Sequence, residues 1–246
     1  MRIIVNGALG HMGRALISLI EAQDLTVAAR IDRSAASEDE ALSDISLFDG
    51  DADVVIDFSH HSAAPDLAEY CAGRGLPLVV ATTGHTPEEL AAIDRSAKAI
   101  PVFRSANMSL GIALLRKLVT QAAAVLSSSD IELVDVHHNR KLDAPSGTAL
   151  MLTEAVQASR PDIQVVHGRS GMDKRGKDEM TVHSLRMGNV VGDHEVIFAT
   201  ANETVRLKHE AHDRSLFADG ALRAAAFLVK QELGLYDMDD LLDEIT

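Results

Sequence analysis

Short apolar runs alternate with amphipathic segments through the first hundred residues of the chain. The runs are rich in β-branched residues and end at glycine, polar or charged residues, which predicts buried strands at residues 3–5, 26–31, 54–56, 78–80 and 101–103. Apolar residues at helical spacing predict helices at residues 12–22 and 63–72, and Thr86-Pro87-Glu88-Glu89 is typical of a third helix start. Residues 34–50 hold a short strand or helix that the pattern does not locate. Near-continuous apolar strands separated by helices indicate a parallel, doubly wound α/β sheet.

The pattern changes after about residue 107. Long apolar-rich helices are predicted at residues 110–126 and 148–158, and strands at residues 131–136, 165–167, 180–186, 190–200 and 204–210. Because several strands follow one another without crossover helices, they indicate a second, α+β domain with a mixed or antiparallel sheet. Residues 217–233 form another predicted helix. The chain therefore divides into a first domain of residues 1–107, completed by a C-terminal helix at about 216–246, and a second domain of residues 108–215.

Charge and composition exclude several classes of protein. Lysine and arginine number 23 against 37 acidic residues, a net charge of −14, and aromatic residues make up 3% with no tryptophan. Neither nucleic acid nor an anionic membrane is therefore an expected partner. No apolar run approaches the ~18 residues of a membrane span, and the first residues do not resemble a signal peptide. A single cysteine, Cys71, builds no disulfide framework or metal cluster, so we expect a reduced core thiol in a cytoplasmic protein.

Three glycines lie between the first strand and the first helix. Gly7, Gly10 and Gly13 form a GxxGxxG pattern, where backbone can approach a pyrophosphate at the helix N-terminus, as in Rossmann-like domains. Asp32 ends the second strand, where a carboxylate binds the ribose 2′-hydroxyl of a dinucleotide. The neighbouring Arg33 can instead pair with a 2′-phosphate. The alternative is a glycine-rich turn followed by a solvated aspartate.

Two polar segments follow later strands of the same predicted sheet. Phe58-Ser59 and Thr82-Thr83-Gly84 both stand at carboxyl ends of strands. Ligands of parallel sheets bind just outside those ends, so the two segments are candidates for the same crevice. Ordinary turn chemistry is the alternative for each segment taken alone.

The densest chemistry lies in residues 135–149. His137, His138, Arg140 and Lys141 place up to four cationic groups within five residues of an acidic protein, which predicts an anionic substrate. Pro145-Ser146-Gly147-Thr148 opens a helix whose first amides can hold a carboxylate. On a strand, His137 and His138 point to opposite faces, so one of them is expected in the site, where an imidazole can deliver a proton. The alternative is a solvated basic loop before a capped helix.

The other histidines and two arginines carry weaker signals. His60 and His61 follow a strand end and are expected to be exposed, and five more histidines are interpreted as lying on sheet faces: His167, His183, His194, His209 and His212. Arg186 and Arg214 are candidates for an anion site in or beside the second domain. No Ser-His-Asp triad or metal site is predicted, since adjacent histidines are a poor metal-ligand arrangement.

These motifs together resemble the 4-hydroxy-tetrahydrodipicolinate reductase family, long called dihydrodipicolinate reductase. The most specific segment is His137-His138-x-x-Lys141 followed by Asp143-Ala144-Pro145-Ser146-Gly147-Thr148-Ala149. The resemblance continues through nearly the whole chain, in Gly7-x-x-Gly10-x-Met12-Gly13, Asp57-Phe58-Ser59, Thr82-Thr83-Gly84, Asn107-x-Ser109-x-Gly111, His183-Ser184-Leu185-Arg186 and Gly220-Ala221-Leu222.

The resemblance implies an NADH- or NADPH-dependent reductase of lysine and diaminopimelate biosynthesis that gives tetrahydrodipicolinate with loss of water. It makes His137 the proton donor, with Lys141 as its catalytic neighbour, and it implies a cytoplasmic homotetramer joined through a second domain that binds the dicarboxylate substrate. Substrate binding is implied for His138, Lys141, Ser146, Gly147 and Thr148. Cofactor binding is implied for Gly7, Gly10, His11, Met12, Gly13, Asp32, Arg33, Phe58, Ser59, Thr82, Thr83, Gly84 and Asn107.

Three departures from the family pattern bear on this interpretation. His11 stands where the family usually has an arginine that can touch a 2′-phosphate, Asp135 replaces a frequent glutamate, and Met187 replaces a small residue. Because Asp32, Arg33 and His11 favour different cofactors, both NADH and NADPH stay open. Two rival hypotheses are another nicotinamide-dependent enzyme on the same two-domain plan, such as an amino-acid dehydrogenase, and a non-enzymatic dinucleotide sensor.

Overall fold

A computed structural model describes residues 1–245 and divides the chain into two compact units. The first unit consists of Met1–Leu110 together with the chain from Arg214 onward, and the second consists of Gly111–Asp213. Among the described residues, no helix is long and apolar enough to cross a membrane.

Eleven strands and seven α-helices follow one another along residues 1–245. The strands are β1 (Arg2–Asn6), β2 (Thr26–Ile31), β3 (Val54–Asp57), β4 (Leu78–Val80), β5 (Pro101–Arg104), β6 (Asp130–His137), β7 (Gln164–His167), β8 (Glu179–Arg186), β9 (Gly192–Ala199), β10 (Thr204–Ala211) and β11 (Gly234–Tyr236). The helices are α1 (His11–Ala22), α2 (Ala64–Arg74), α3 (Pro87–Ser96), α4 (Leu110–Val125), α5 (Gly147–Ser159), α6 (Ser215–Leu228) and α7 (Met238–Glu244).

The first unit is built on a six-stranded parallel sheet in the order β11-β5-β4-β3-β1-β2. Ile4, Val55, Leu78 and Val102 are register partners across four strands and belong to one buried cluster, which also holds Cys71 of α2. Helices α2 and α3 pack together, as do α1 and α6. Because both faces of the sheet are covered, its strands are almost wholly apolar, and the predicted doubly wound Rossmann-like fold is confirmed.

Local sequence signals explain individual elements of this unit. The Thr86 hydroxyl accepts a hydrogen bond from the Glu89 amide, and the Glu89 carboxylate accepts one from the Thr86 amide, so α3 begins with the expected cap. Within residues 34–50, which the sequence left open, Leu42 bridges to Ile31 of β2 and a 3₁₀ helix spans Ile45–Leu47.

The predicted C-terminal helix is wrong in its extent. Helix α6 ends at Leu228, and the chain then adds β11 beside β5 and the separate helix α7. The side chain of Asp237 accepts hydrogen bonds from the amides of Asp239 and Asp240 and starts α7, which separates it from the preceding strand. A strand of three residues that begins with glycine is too short to show a period of two, so the sequence pattern did not reveal it.

The second unit contains a five-stranded mixed sheet in the order β10-β9-β6-β8-β7. Strand β6 pairs in parallel with β8 and antiparallel with β9, which confirms the predicted mixed sheet. Helices α4 and α5 cover one face and bury alternate residues of the central strands, such as Ile131, Leu133 and Phe198. The residues between them, including Val134 and Ile197, lie on the other face and are half-buried.

Candidate functional site

The turn between β1 and α1 requires glycine at two positions. Gly7 has a φ of +79°, and a Cβ atom there would lie 2.7 Å from the carbonyl carbon of Phe58. A Cβ atom on Gly13 would lie 2.1 Å from the carbonyl oxygen of Gly7. Gly10 caps α1 without any side-chain hydrogen bond. The turn therefore packs tightly on its inner side and offers bare helix amides, which fits the pyrophosphate of a dinucleotide.

A cavity of about 340 Å³ lies beside this turn in the first unit. It brings together six of the residues that the sequence assigned to the cofactor: Gly7, Gly10, Asp32, Arg33, Phe58 and Ser59. Three other assigned residues, His11, Met12 and Gly13, form the first turn of α1. His60, for which the sequence predicted only an exposed position, is exposed and also lines the cavity.

Asp32 is held in place at the edge of this cavity. One carboxylate oxygen accepts hydrogen bonds from the amide and hydroxyl of Ser34, and the other accepts the Leu9 amide at 2.9 Å. Partial burial alone would raise the pKa of Asp32, but these hydrogen bonds outweigh it and lower the pKa below the ordinary value. The anion can therefore accept a further hydrogen bond from a ribose hydroxyl, whereas Arg33 beside it is exposed.

A buried carboxylate organises the ends of three neighbouring strands. Asp57 is fully buried and accepts hydrogen bonds from the Asn6 amide group at 2.8 Å, the Ser59 hydroxyl at 2.6 Å and the Thr82 hydroxyl at 2.8 Å. The network fixes two predicted cofactor residues, Ser59 and Thr82. In the sequence, Asp57 is visible only as part of a motif and Asn6 carries no signal, because the two side chains meet through the parallel register of β1 and β3.

A second cavity in the first unit, of about 350 Å³, is lined by Thr82, Thr83 and Gly84. His85 also lines it, and burial lowers the pKa of that imidazole. The predicted residue Asn107 turns the chain nearby in sequence, where its side-chain oxygen accepts the Ser109 amide.

In the second unit, His137 ends β6 beside a buried aspartate. Its Nδ1 lies 2.8 Å from Oδ1 of Asp135, an ion pair by distance rather than a well-aligned hydrogen bond. A Cβ atom on Gly192 would lie 3.0 Å from Nε2 of His137, so the glycine leaves room for the ring. The ring is held at Nδ1, which leaves Nε2 as the atom suited to deliver a proton.

Asp135 is the centre of this arrangement. Its Oδ2 accepts hydrogen bonds from the Ser146 amide at 2.9 Å, the Ser184 hydroxyl at 3.2 Å and the Arg186 guanidinium at 3.1 Å. Burial alone would raise the pKa of Asp135, but His137, His194, the Ser146 amide and Arg186 lower it far below its usual range. The carboxylate is thus an anion at any working pH.

The start of α5 adjoins the same aspartate. Ser146 caps the helix by accepting the Ala149 amide at its hydroxyl, while its own amide binds Asp135. Gly147 and Thr148 form the first turn, where backbone amides favour an anion. His137 and the N-terminus of α5 are therefore tied to one carboxylate.

The remaining predicted residues surround this centre. The Lys141 ammonium lies 2.8 Å from the Asp143 carboxylate and holds the pKa of Asp143 below its ordinary value, and the Lys141 amide donates to the carbonyl of His138. His137, the last residue of β6, is buried, and His138, the next residue, is half-buried; that one of the two histidines enters the site stays a prediction. Arg186, a candidate for anion binding, is engaged by Asp135 and the Asp143 carbonyl.

Sequence reasoning missed His194, which it interpreted as one of several histidines on sheet faces. His194 is the register partner of Asp135 across the antiparallel pair of β6 and β9, and its side chain is 4% exposed. The inward alternation of β9 was a usable signal, but the register with β6 was needed to bring the two residues together. Arg214, the other arginine candidate, belongs to the first unit and is exposed.

Asp135, His137 and His194 lie close enough together to be metal ligands, but their surroundings do not favour a metal ion. Ligand atoms of Asp135, His137 and His194 lie within 4.8 Å of one another. However, Oδ2 of Asp135 already accepts hydrogen bonds from three protein donors, and the guanidinium of Arg186 places a positive charge beside the carboxylate. The arrangement is suited to holding a proton rather than a cation.

The whole chain is similar to proteins of one known family. Family models described as dihydrodipicolinate reductase, N-terminus and C-terminus, match residues 1–108 and 111–242. Proteins named 4-hydroxy-tetrahydrodipicolinate reductase from Caldanaerobacter subterraneus and Clostridium tetani are 45% and 40% identical, covering 98% and 99% of this chain and 98% and 97% of theirs. A dipicolinate-bound dihydrodipicolinate reductase from Paenisporosarcina has the same fold, with a TM-score of 0.77 and 22% identity over 96% of this chain and 97% of that one.

Proposed function

The chain belongs to the dihydrodipicolinate reductase family, and we propose that it reduces 4-hydroxy-tetrahydrodipicolinate to tetrahydrodipicolinate, with loss of water, in lysine and diaminopimelate biosynthesis. It is a nicotinamide-dependent oxidoreductase, and a bound reduced nicotinamide supplies the hydride. The buried pair of Asp135 and His137 beside the N-terminus of α5 supports this function most directly, because it combines a proton donor with an anion-binding helix start.

Of the proposed substrate residues, one delivers a proton and the others bind the carboxylates of the substrate. His137 delivers the proton, and Asp135 orients its ring. The amides of Gly147 and Thr148 and the ammonium of Lys141 bind carboxylates of the substrate, with His138 and Ser146 beside them. Lys141 can also support the proton transfer, as its ammonium is only partly covered and is shared with the exposed Asp143.

The proposed cofactor residues lie in the first unit. The glycine turn holds the pyrophosphate, Asp32 and Arg33 meet the ribose, and Phe58 and Ser59 complete the first cavity. Thr82, Thr83 and Gly84, with Asn107, are assigned to the nicotinamide side, where the Asp57 network fixes Thr82.

We expect NADH to be preferred and NADPH to be accepted less well. The carboxylate of Asp32 is an anion held by three hydrogen bonds, which favours a ribose hydroxyl and repels a 2′-phosphate. The exposed Arg33 offsets part of that repulsion. Changing Arg33 to alanine should lower kcat/KM for NADPH by about tenfold and leave NADH within about twofold, since a charge-assisted hydrogen bond is lost for NADPH alone. Steady-state kinetics with each cofactor checks this, and equal losses for both would contradict it.

The half-buried face of the second sheet is the proposed contact surface of a homotetramer. It carries Val134, Ile197 and the exposed Leu185 on the side opposite α4 and α5. Light scattering should give about four times the 26.3 kDa chain mass. Ile197→Lys places a charge in this face and should give smaller species, whereas a variant on an exposed helix, Arg95→Glu, should not. A wild-type monomer would contradict the proposal.

The direct test of function is a coupled oxidation assay. A synthase forms the unstable substrate in the cuvette from pyruvate and aspartate semialdehyde, and oxidation of NADH or NADPH is followed by absorbance. We expect rapid oxidation that requires the synthase. Cofactor binding without synthase-dependent oxidation would overturn the proposed function and leave only a dinucleotide-binding protein.

A further inference from the structure

His194 touches the aspartate that orients the proposed proton donor. Its Nε2 lies 3.5 Å from Oδ1 of Asp135, the same oxygen that faces Nδ1 of His137. The rings of His194 and His137 meet edge to face, with centroids 5.2 Å apart and an interplanar angle of 71°. His194 therefore contacts both members of the pair.

The same nitrogen of His194 also contacts the start of α5. Nε2 lies 3.1 Å from the hydroxyl oxygen of Ser146, the residue that caps this helix. One imidazole nitrogen thus stands between the carboxylate that orients His137 and the helix start proposed to bind a substrate carboxylate. Neither contact belongs to the proposed roles described so far.

The surroundings of His194 favour one tautomer. Among the described residues, its buried Nδ1 has no hydrogen-bond partner, so a proton there would be an unsatisfied donor. A proton on Nε2 instead lies on the nitrogen that is 3.1 Å from the hydroxyl oxygen of Ser146, with Oδ1 of Asp135 at 3.5 Å, a contact by distance rather than a hydrogen bond. His194 is accordingly a donor at Nε2, and the bare Nδ1 is the less costly atom to leave unpaired.

We propose that His194 is a positioning residue for proton transfer, which fixes the shared carboxylate of Asp135 and joins the His137 ring to the start of α5. The proposal deepens the proposed function and rests on it, because it assumes that His137 is the proton donor. Through these contacts, the cluster of Asp135, His137, His194 and Ser146 sets the distance between the proton on His137 and the substrate carboxylate at the start of α5.

Charged and titratable groups face His194 from each strand around it. Asp135 and His137 face it from β6, Arg186 binds the far oxygen of Asp135 from β8, and His209 is its register partner on β10. Asp193 adjoins it on its own strand. Removing Nε2 of His194 leaves Nδ1 of His137 as the nitrogen facing Oδ1 of Asp135.

Three variants at position 194 separate the donor from the ring. His194→Phe keeps the ring and removes the donor, whereas His194→Gln places an amide nitrogen near the position of Nε2, and His194→Asn is too short to do so. His167→Phe, an exposed residue at the end of β7, is the matched control. The measurements are kcat, KM for cofactor and the pH profile of kcat in the coupled assay.

We expect the Phe and Asn variants to lose about tenfold in kcat with KM for cofactor unchanged, and the Gln variant to recover most of that loss. The alkaline limb of the profile should move up by about 0.5 to 1 pH unit in the Phe and Asn variants, which is the shift that one hydrogen bond can cause. A structural role alone would change the amount of folded enzyme without moving that limb. If His194→Phe does not fold, the pair of Gln and Asn still decides.

Two outcomes distinguish this proposal from the function on which it rests. If wild type and the His194 variants share one pH profile and one kcat while His137→Ala is inactive, His194 has no positioning role and the reductase function stands. If His137→Ala retains its activity, the assignment of the proton donor fails and the role of His194 fails with it. Equal losses in the Gln and Asn variants would also overturn the proposal.

Discussion

Replacing His137 with alanine is expected to lower kcat by about 10² to 10⁴-fold, the usual contribution of a positioned general acid. The ring ends β6 with Nδ1 held by Asp135 and with Nε2 opposite Gly192, where a larger residue would crowd it. Alanine removes the proton but none of the cofactor residues of the first unit. The coupled assay should therefore show a large loss in kcat, and NADH fluorescence should show unchanged cofactor binding.

A matched control is available at the exposed histidine of β7. His167→Ala should keep kcat within about twofold, because the side chain of His167 is exposed and lies far in sequence from residues 137–141. His137→Gln tests the proton itself, since its amide can hydrogen-bond but cannot serve as an acid at neutral pH. A His137→Ala enzyme within a few-fold of wild type would rule out His137 as the donor, whatever the other variants show.

Most of the first unit could be predicted from the sequence because its central strands, such as β3 and β4, are wholly buried. Strand β4 has the predicted limits, and so does the edge strand β2, whose run ends at Asp32. The C-terminal elements β11 and α7 were missed for the opposite reason. Strand β11 has three residues and gains its stability from pairing with β5, which no local pattern expresses.

In the candidate site, too, some features could be predicted from the sequence and others could not. The basic segment and the glycine turn are continuous in sequence, so their chemistry was visible before the fold. The contacts of Asp57 with Asn6 and Thr82, and of Asp135 with His194, join residues 25 to 59 positions apart through strand register. Register is set by the packing of whole sheet faces, so the alternation of β9 could place His194 inward but could not pair it with Asp135.

The second large effect is expected for Asp135→Asn, which should lower the free energy of unfolding by about 3–5 kcal/mol at pH 7. Asp135 is fully buried, and its carboxylate accepts hydrogen bonds from Ser146, Ser184 and Arg186. An asparagine would leave the guanidinium of Arg186 without its anion and would turn an amide N–H₂ toward other donors. Urea unfolding followed by circular dichroism measures the loss. Asp94→Asn, which breaks the exposed ion pair with Arg104, should cost less than about 1 kcal/mol.

The difference in the free energy of unfolding between wild type and Asp135→Asn should depend on pH, in a way that follows from the direction of the pKa shift of Asp135. The pKa of Asp135 is lowered in the folded protein, because its hydrogen bonds outweigh the effect of burial, from an ordinary value of 3.8. The stabilising contribution of Asp135 is therefore complete above its pKa in the unfolded chain. It declines as pH falls below about 4, because the unfolded chain then binds a proton at Asp135 that the folded protein does not bind. The gap between wild type and Asp135→Asn should be constant from pH 5 to 8 and should narrow at pH 3.5. A gap that stays constant down to pH 3 would mean that the pKa of Asp135 is the same in the folded and the unfolded chain, so that its hydrogen bonds do not stabilise the anion.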